Sequence, residues 1–214
     1  MRRALLAALL LAALGGCSGD APGEASTVGV RAAGCEAIER VGTGVVVEGP
    51  TGPVVVTSAH TVTGAAEITV IAGDETAGAL LAFDPAADLA LLTAPEGVET
   101  ARVASDVNAG DSGRLIVWEP DGRLIETGVE VTRTLRVRIE DIFVEADVER
   151  LAIEIDTATV RGDSGAPVFN DSGEVLGVVY ARSREREASF AVRHEEIAAL
   201  IRTPTIDPSA SRCR

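Results

Sequence analysis

Between Val41 and Val192 the chain repeats one pattern, in which short β-branched apolar runs are interrupted by Gly, Pro and Asp. Val41 to Val47, Val54 to Ser58, Glu67 to Ala72, Ala79 to Phe83 and Leu89 to Thr93 form a first series of predicted strands. A polar stretch, Ser105 to Ser112, separates it from a second series: Arg114 to Trp118, Leu124 to Thr134, Ile142 to Val148, Leu151 to Ile155, Ala166 to Asn170, Val175 to Tyr180 and Ser189 to Val192. Two such series predict an all-β chain of two small barrels or sandwiches. One helix is predicted, His194 to Ile201. There Ile197, Leu200 and Ile201 share a face, and Glu195 and Glu196 in the first turn suit the helix dipole. Asp20 to Ala33, rich in Gly, Ala, Ser, Pro and Glu with little periodicity, reads as a flexible tether.

The first residues have a different character. Met1 to Gly16 places two Arg before an apolar run, Ala4 to Leu14, and ends in small residues, the layout of an export signal. The run is shorter than the roughly 20 residues a bilayer span needs. Leu14-Gly15-Gly16-Cys17 resembles the lipobox of bacterial lipoproteins, which implies cleavage before Cys17 and lipid on its sulfur; a plain secretory signal is the alternative. With Cys17 lipidated, Cys35 and Cys213 remain, and in an oxidising compartment they are expected to pair, the alternative being two free surface thiols. A bridge closing so long a loop stabilises a fold by up to about 5 kcal/mol in the chain-entropy model.

Composition narrows the chemistry. There are 33 acidic residues against 19 basic ones, a net charge of −14, and removing residues 1–16 takes away Arg2 and Arg3 and no acid. An acidic chain without a basic patch repels a phosphate backbone, so no nucleic-acid partner is expected. Every basic residue is Arg; with no Lys, P-loop, Schiff-base and Ser-Lys mechanisms are excluded. His60 and His194 are the only His residues, and the clustered His and Cys of zinc sites are absent, so no metal or other cofactor is expected.

Three segments carry candidate chemistry: Val55-Val56-Thr57-Ser58-Ala59-His60, Phe83-Asp84-Pro85-Ala86-Ala87-Asp88-Leu89-Ala90-Leu91-Leu92, and Arg161-Gly162-Asp163-Ser164-Gly165-Ala166-Pro167-Val168. Hydrolysing an amide needs a nucleophile, a base beside it and an acid that holds the base in one tautomer. Ser164, His60 and Asp88 are the candidates. Glycines on both sides of Ser164 permit a tight turn that aims the main-chain N–H groups of Gly162 and Ser164 at one point, where an oxyanion could sit. Singly, each residue also fits a structural role. His194 reads as the head of a helix, Trp118 and Tyr180 as core or pocket wall, and Arg182, Arg184 and Arg186, interleaved with Glu185 and Glu187, as a solvated hairpin.

In that order the three segments resemble the chymotrypsin-fold, trypsin-like serine peptidases, and within them the bacterial HtrA/DegP-like and MarP-like proteases. Gly42-Thr43-Gly44-Val45-Val46-Val47, Asp156 ahead of the nucleophile and Gly173-Glu174-Val175-Leu176-Gly177-Val178-Val179 extend the likeness, which runs from about Cys35 to Ile201. The resemblance implies two six-stranded Greek-key β-barrels with a short C-terminal helix. His60 and Asp88 then come from the first barrel and Ser164 from the second, and Gly162, Asp163 and Ser164 form the oxyanion loop. It also implies a primary specificity pocket lined by Ala158, Thr159, Tyr180 and Arg182, without the acidic base of trypsin-like cleavage, so small or medium uncharged residues are the expected site of cutting. An inward Arg182 attracting acidic residues is the competing possibility. Ala166 replaces a usual Gly, and no Arg followed by an Ile-Val-Gly-Gly-like start is present, so activation by a new N-terminus pairing with Asp163 is not expected.

The expected organisation is a signal peptide over 1–16, a lipid anchor and tether over 17–34, barrels over 35–112 and 113–206, and a tail over 207–214. Only about a dozen residues follow the terminal helix, so no PDZ module is expected. The functional expectation is an exported, membrane-anchored serine endopeptidase of the cell envelope that cleaves proteins or peptides through an acyl-enzyme. A protease-fold binding or sensing lipoprotein is the alternative.

Overall fold

The computed structural model describes residues 23–34 and 39–213. The first sheet contains β1 (Thr27–Ala33), β2 (Arg40–Gly49), β3 (Gly52–Thr57), β4 (Glu67–Ala72), β5 (Asp74–Ala77), β6 (Leu80–Asp84) and β7 (Leu89–Thr93), in the order β5-β4-β1-β2-β3-β7-β6. A short helix, α1 (Ala59–Val62), follows β3. The second sheet contains β8 (Arg102–Val103), β9 (Ser112–Trp118), β10 (Leu124–Glu140), β11 (Asp147–Ile155), β12 (Pro167–Phe169), β13 (Glu174–Arg182) and β14 (Ser189–Arg193), and α2 (His194–Arg202) follows it. Its order is β12-β9-β10-β11-β14-β13-β8, and a β12–β13 pairing closes six of these strands into a barrel. The expected all-β, two-barrel architecture with a C-terminal helix is observed.

Many strands are apolar on both faces because each barrel buries two surfaces. Alternate residues of β2 diverge: Val46 packs inside the first barrel with Val28, Val55, Phe83 and Leu92, whereas Val45 and Val47 face the second barrel. A third apolar cluster lies between the barrels and joins Leu89 and Leu91 to Ile116, Phe169 and Val178, with Ile197 and Ile201 of α2 closing it. At about 25 cal/mol per Å² of buried apolar surface, such an interface resists relative motion of the barrels.

Two expectations need correction. The tether assigned to 17–34 contains β1, a central strand of the first sheet hydrogen-bonded to both β2 and β4. Val28, Val30 and Ala32 are buried at period two, and Gly29 lies so close to Trp118 that a Cβ would come within 2.4 Å of the indole. The first barrel thus begins at Thr27 and not at residue 35, and its last strand ends at Thr93. Of the strand expected over Ile142 to Val148 only Asp147 and Val148 are strand, at the start of β11, and the rest is the turn between β10 and β11: Asp141 accepts the N–H groups of Phe143 and Glu145, and Ile142 is buried against the first barrel. Residues 1–22 and 35–38 lie outside the described residues, and with them the export signal, the lipid site at Cys17 and the thiol of Cys35.

Beyond α2 the chain returns to the first barrel. Phe83 of β6 donates to Thr205 O at 2.8 Å and accepts from Asp207 N–H at 3.1 Å, and farther on Gly64 N–H reaches Ala210 O at 2.7 Å. Thr63 Oγ1 donates to Arg212 O at 2.9 Å, and Cys213 is disulfide-bonded. Residues 207–213 of the tail assigned to 207–214 are therefore part of the fold, and residue 214 lies outside the described residues.

Candidate active site

His60 sits on α1, one turn beyond the end of β3, and Asp88 ends the tight turn between β6 and β7. In that turn Asp84 Oδ1 accepts the N–H groups of both Ala86 and Ala87 at 2.9 Å. Asp88 follows with φ 59°, left-handed backbone that costs a non-glycine residue about 1 kcal/mol. The conformation delivers its carboxylate to His60. Oδ2 lies 2.8 Å and Oδ1 3.1 Å from Nδ1, and Oδ1 also accepts the His60 main-chain N–H at 2.9 Å. Asp88 is buried and the His60 side chain is 18% exposed, so the acid is screened from water while the ring keeps one open edge. An ionised carboxylate at Nδ1 requires a proton there and leaves Nε2 as the acceptor.

Ser164 is presented by the loop between β11 and β12. Its carbonyl accepts Thr43 N–H at 2.8 Å, and Gly165 N–H donates to Val179 O at 2.8 Å. Gly165 has φ +87°, and a Cβ there would meet Thr43 O at 1.9 Å and Thr57 Oγ1 at 2.5 Å, so only glycine fits. Asp163 closes the loop on itself: Oδ2 accepts Val160 N–H at 2.8 Å, and its own N–H donates to Val160 O at 3.2 Å. That is the partner the sequence did not reveal. Burial pushes the Asp163 carboxyl upward, the Val160 N–H opposes the shift, and nearby Glu119 adds to it. Of the three loop residues expected to stabilise an oxyanion, Asp163 has spent its N–H. Those of Gly162 and Ser164 have no protein acceptor among the described residues.

His60, Gly162, Asp163 and Ser164 line one open cleft of about 1110 Å³ between the barrels. No hydrogen bond joins Ser164 to His60 among the described residues. Asp156 lies outside the cleft. Its Oδ1 accepts Glu130 N–H at 2.7 Å and its N–H donates to Glu130 O at 3.2 Å, which ties the approach to the Ser164 loop onto β10.

Of the four residues expected to line the specificity pocket, Thr159 and Arg182 border the cleft and Ala158 and Tyr180 do not. Tyr180 is the unpaired residue of a bulge in β13, where the register jumps between Val179 and Ala181, and a bulge re-aims its side chain. Val179 and Ala181 take the cleft instead, and the Tyr180 ring packs under Arg150 at 4.5 Å. Burial raises the pKa of the Tyr180 hydroxyl, and Arg150 partly offsets the rise. Thr159 is fixed at the edge of the cleft because its N–H and Oγ1 both lie 2.9 Å from Ser189 Oγ. Trp118, expected as core or wall, is also a wall of the cleft.

His194 is buried at the head of α2, outside the cleft, with Nε2 3.2 Å from Glu195 Oε2. Burial lowers its pKa and the Glu195 charge opposes that shift. Arg186 is not simply solvated, since it donates to the buried Glu154 at 2.8 Å and so anchors its hairpin. The residue that sequence reasoning missed is Arg150, 2% exposed, whose role depends on a contact in the other barrel.

Residues 42–178 match the trypsin-like peptidase domain family. A relative, serine protease Rv3671c of Mycobacterium tuberculosis, is 30% identical over 158 residues, which cover 69% of this chain and 38% of that protein. This chain thus spans well under half the length of that curated relative. The crystal structure of the active form of the Rv3671c protease from M. tuberculosis superposes with a TM-score of 0.76 at 28% identity, over 87% of this chain and 84% of that one. The HtrA-type protease AlgW with tripeptide, 22% identical, shares the fold at a TM-score of 0.67, over 85% of this chain and 60% of that one. With its motifs in family order on two barrels and its match to the family over most of its length, the chain belongs to the trypsin-like peptidase domain family of serine proteases.

Proposed function

We propose that the protein is an extracytoplasmic serine endopeptidase that cleaves proteins or peptides through an acyl-enzyme formed on Ser164. The observation that carries this reading is the double contact of Asp88 with His60 Nδ1 at the edge of the cleft that also holds Ser164. Ser164 Oγ attacks the scissile carbonyl while Nε2 of His60 takes its proton, and Asp88 stabilises the imidazolium that forms. The N–H groups of Gly162 and Ser164 receive the negative charge on the carbonyl oxygen. His60 then returns the proton to the leaving amine, and water, deprotonated by the same base, hydrolyses the ester. The Ser164 to His60 hydrogen bond tightens only with substrate in place.

The cleft supports cutting after small or medium uncharged residues, because Val179 and Ala181 form an apolar wall beside the Thr159–Ser189 pair. Arg182 and Arg161 on the rim make acidic residues the competing choice. A peptide-library digest decides between them, and dominant cleavage after Arg or Lys would overturn the pocket assignment.

Export and lipidation at Cys17 are proposed from the sequence. Among the described residues no helix is long and apolar enough to cross a membrane. Pairing of Cys213 with Cys35 is supported by the path of the tail. It reaches Thr63 and Gly64, close to Ala66, whose N–H bonds Ala33 O just ahead of Cys35.

Labelling of the purified protein by a fluorophosphonate, with the adduct mapped to Ser164 by mass spectrometry, tests the mechanism. A protein left unlabelled while folded would favour the second reading, a protease-fold binding or sensing module. The missing Ser164 to His60 hydrogen bond is the observation on its side.

A further inference from the structure

Arg150 lies on β11 of the second barrel, yet its guanidinium is spent on the first. Nε and Nη2 both donate to Ala86 O, at 2.9 and 2.6 Å. The side chain is almost wholly buried, and among the described residues no carboxylate forms an ion pair with it. Burying an unpaired charge is costly, and a two-pronged bond to one carbonyl together with an aromatic face, here the Tyr180 ring, is how this fold offsets it. Where the fork lands matters. Ala86 stands two residues before Asp88, in the turn whose N–H groups are already held by Asp84 Oδ1. Its carbonyl is the group that the Asp84 side chain leaves free to swing. Ile142, on the β10–β11 turn, adds a bond to Pro85 O at 3.3 Å, so the second barrel grips this turn twice. The Tyr180 hydroxyl, whose pKa burial raises, also feels both charges, Arg150 lowering it and Asp88 raising it.

We infer that Arg150 is a positioning residue for the proposed triad: by forking onto Ala86 O it holds the left-handed turn that keeps both oxygens of Asp88 on His60. The inference rests on the triad reading above. It makes the acid of the first barrel answer to the barrel that carries Ser164, so docking of the two halves and alignment of the triad become one event.

The test uses the full chain with Arg150→Met, which keeps length and packing but donates nothing, and Arg150→Lys, which keeps the charge and offers a single point donor. Three quantities are read: the melting temperature, kcat and KM on a peptide substrate, and the far-downfield proton resonance of the His60 Nδ1–H to Asp88 bond. For R150M the expectation is a kcat lowered roughly 10- to 100-fold, the scale of an ångström misplacement, with KM within about twofold and the downfield resonance lost or broadened. R150K should fall between R150M and the parent in both kcat and resonance. A folded R150M with parental kcat and resonance overturns the inference, even if it melts earlier, because Arg150 then only welds the barrels. If R150M does not fold, R150K decides: a lowered kcat with a perturbed resonance supports the inference, and parental values for both overturn it. Ser164→Ala separates this from failure of the protease reading. Its His60 resonance persists without any turnover, so the role of Arg150 can be read in a protein that hydrolyses nothing.

Discussion

The main-chain N–H of Thr43 donates to the carbonyl of Ser164 at 2.8 Å, and the Thr43 carbonyl occupies the space where a Cβ of residue 165 would sit. One residue of β2 thus fixes the loop of the proposed nucleophile from both sides. Gly165→Ala must displace one of them. Left-handed backbone on Ala and a Cβ only 1.9 Å from the Thr43 oxygen should together cost about 2–4 kcal/mol. A lowered melting temperature and a loss of most hydrolysis in the folded fraction are expected, read by thermal denaturation and peptide turnover.

Ser164→Ala removes one hydroxyl from a half-buried turn and should leave the melting temperature within a degree or two. Hydrolysis should fall on the order of 10⁴-fold or more, with fluorophosphonate labelling abolished. Turnover near that of the parent would remove Ser164 from the mechanism.

Asp163 separates charge from hydrogen bonding. Burial raises its pKa, so the folded state disfavours the carboxylate: the stability it lends is fully present below the unfolded carboxyl range, near pH 3.8, and is lost as pH rises through the raised folded value. Asp163→Asn keeps an acceptor for Val160 N–H without the charge. Near pH 7 it should melt at or above the parental temperature and keep activity within a few-fold. Asp163→Ala, which orphans that N–H, should be less stable by about 1–2 kcal/mol and lose activity as the loop relaxes. Urea unfolding of the two variants side by side checks both.

His194 makes a pH prediction of the opposite sign. Its folded pKa is lowered by burial, so the unfolded chain binds the proton more readily. Its contribution is complete above the unfolded value, about 6.5, and is lost as pH falls through that value toward the lowered one. His194→Gln should flatten the decline in melting temperature between about pH 6.5 and 5 relative to the parent, while leaving peptide turnover at pH 7.5 unchanged. A variant that lost turnover would exchange the roles given to the two histidines.

What could be read from the chain divides along physical lines. The strands β4 and β7 and the helix from His194 are visible because apolar periodicity and local breakers bound them. His60, Asp88 and Ser164 are visible because their motifs are local. β1 escaped notice because Val28, Gly29, Val30 and Ala32 are small and lie in a Gly- and Ala-rich stretch, and only the presence of Trp118 across from Gly29 explains the composition. The bulge that turns Tyr180 away from the cleft arises from the pairing of β13 with β14, which no single strand encodes. Arg150 looks like any charged residue of an alternating strand, and its burial is decided by the other barrel.

The return of residues 205–213 to the first barrel imposes an order on assembly. For a chain synthesised N-terminus first, the outer edge of β6 at Phe83 and the exit of α1 at Thr63 and Gly64 wait for partners that arrive after both barrels and α2. Until then the strand leading into the Asp88 turn is an unsatisfied edge and the segment following His60 lacks its closing bonds. A nascent molecule can therefore carry all three proposed catalytic residues and still be incomplete around two of them. The surroundings of the proposed base and acid are thus completed by a segment that lies beyond both barrels in the chain.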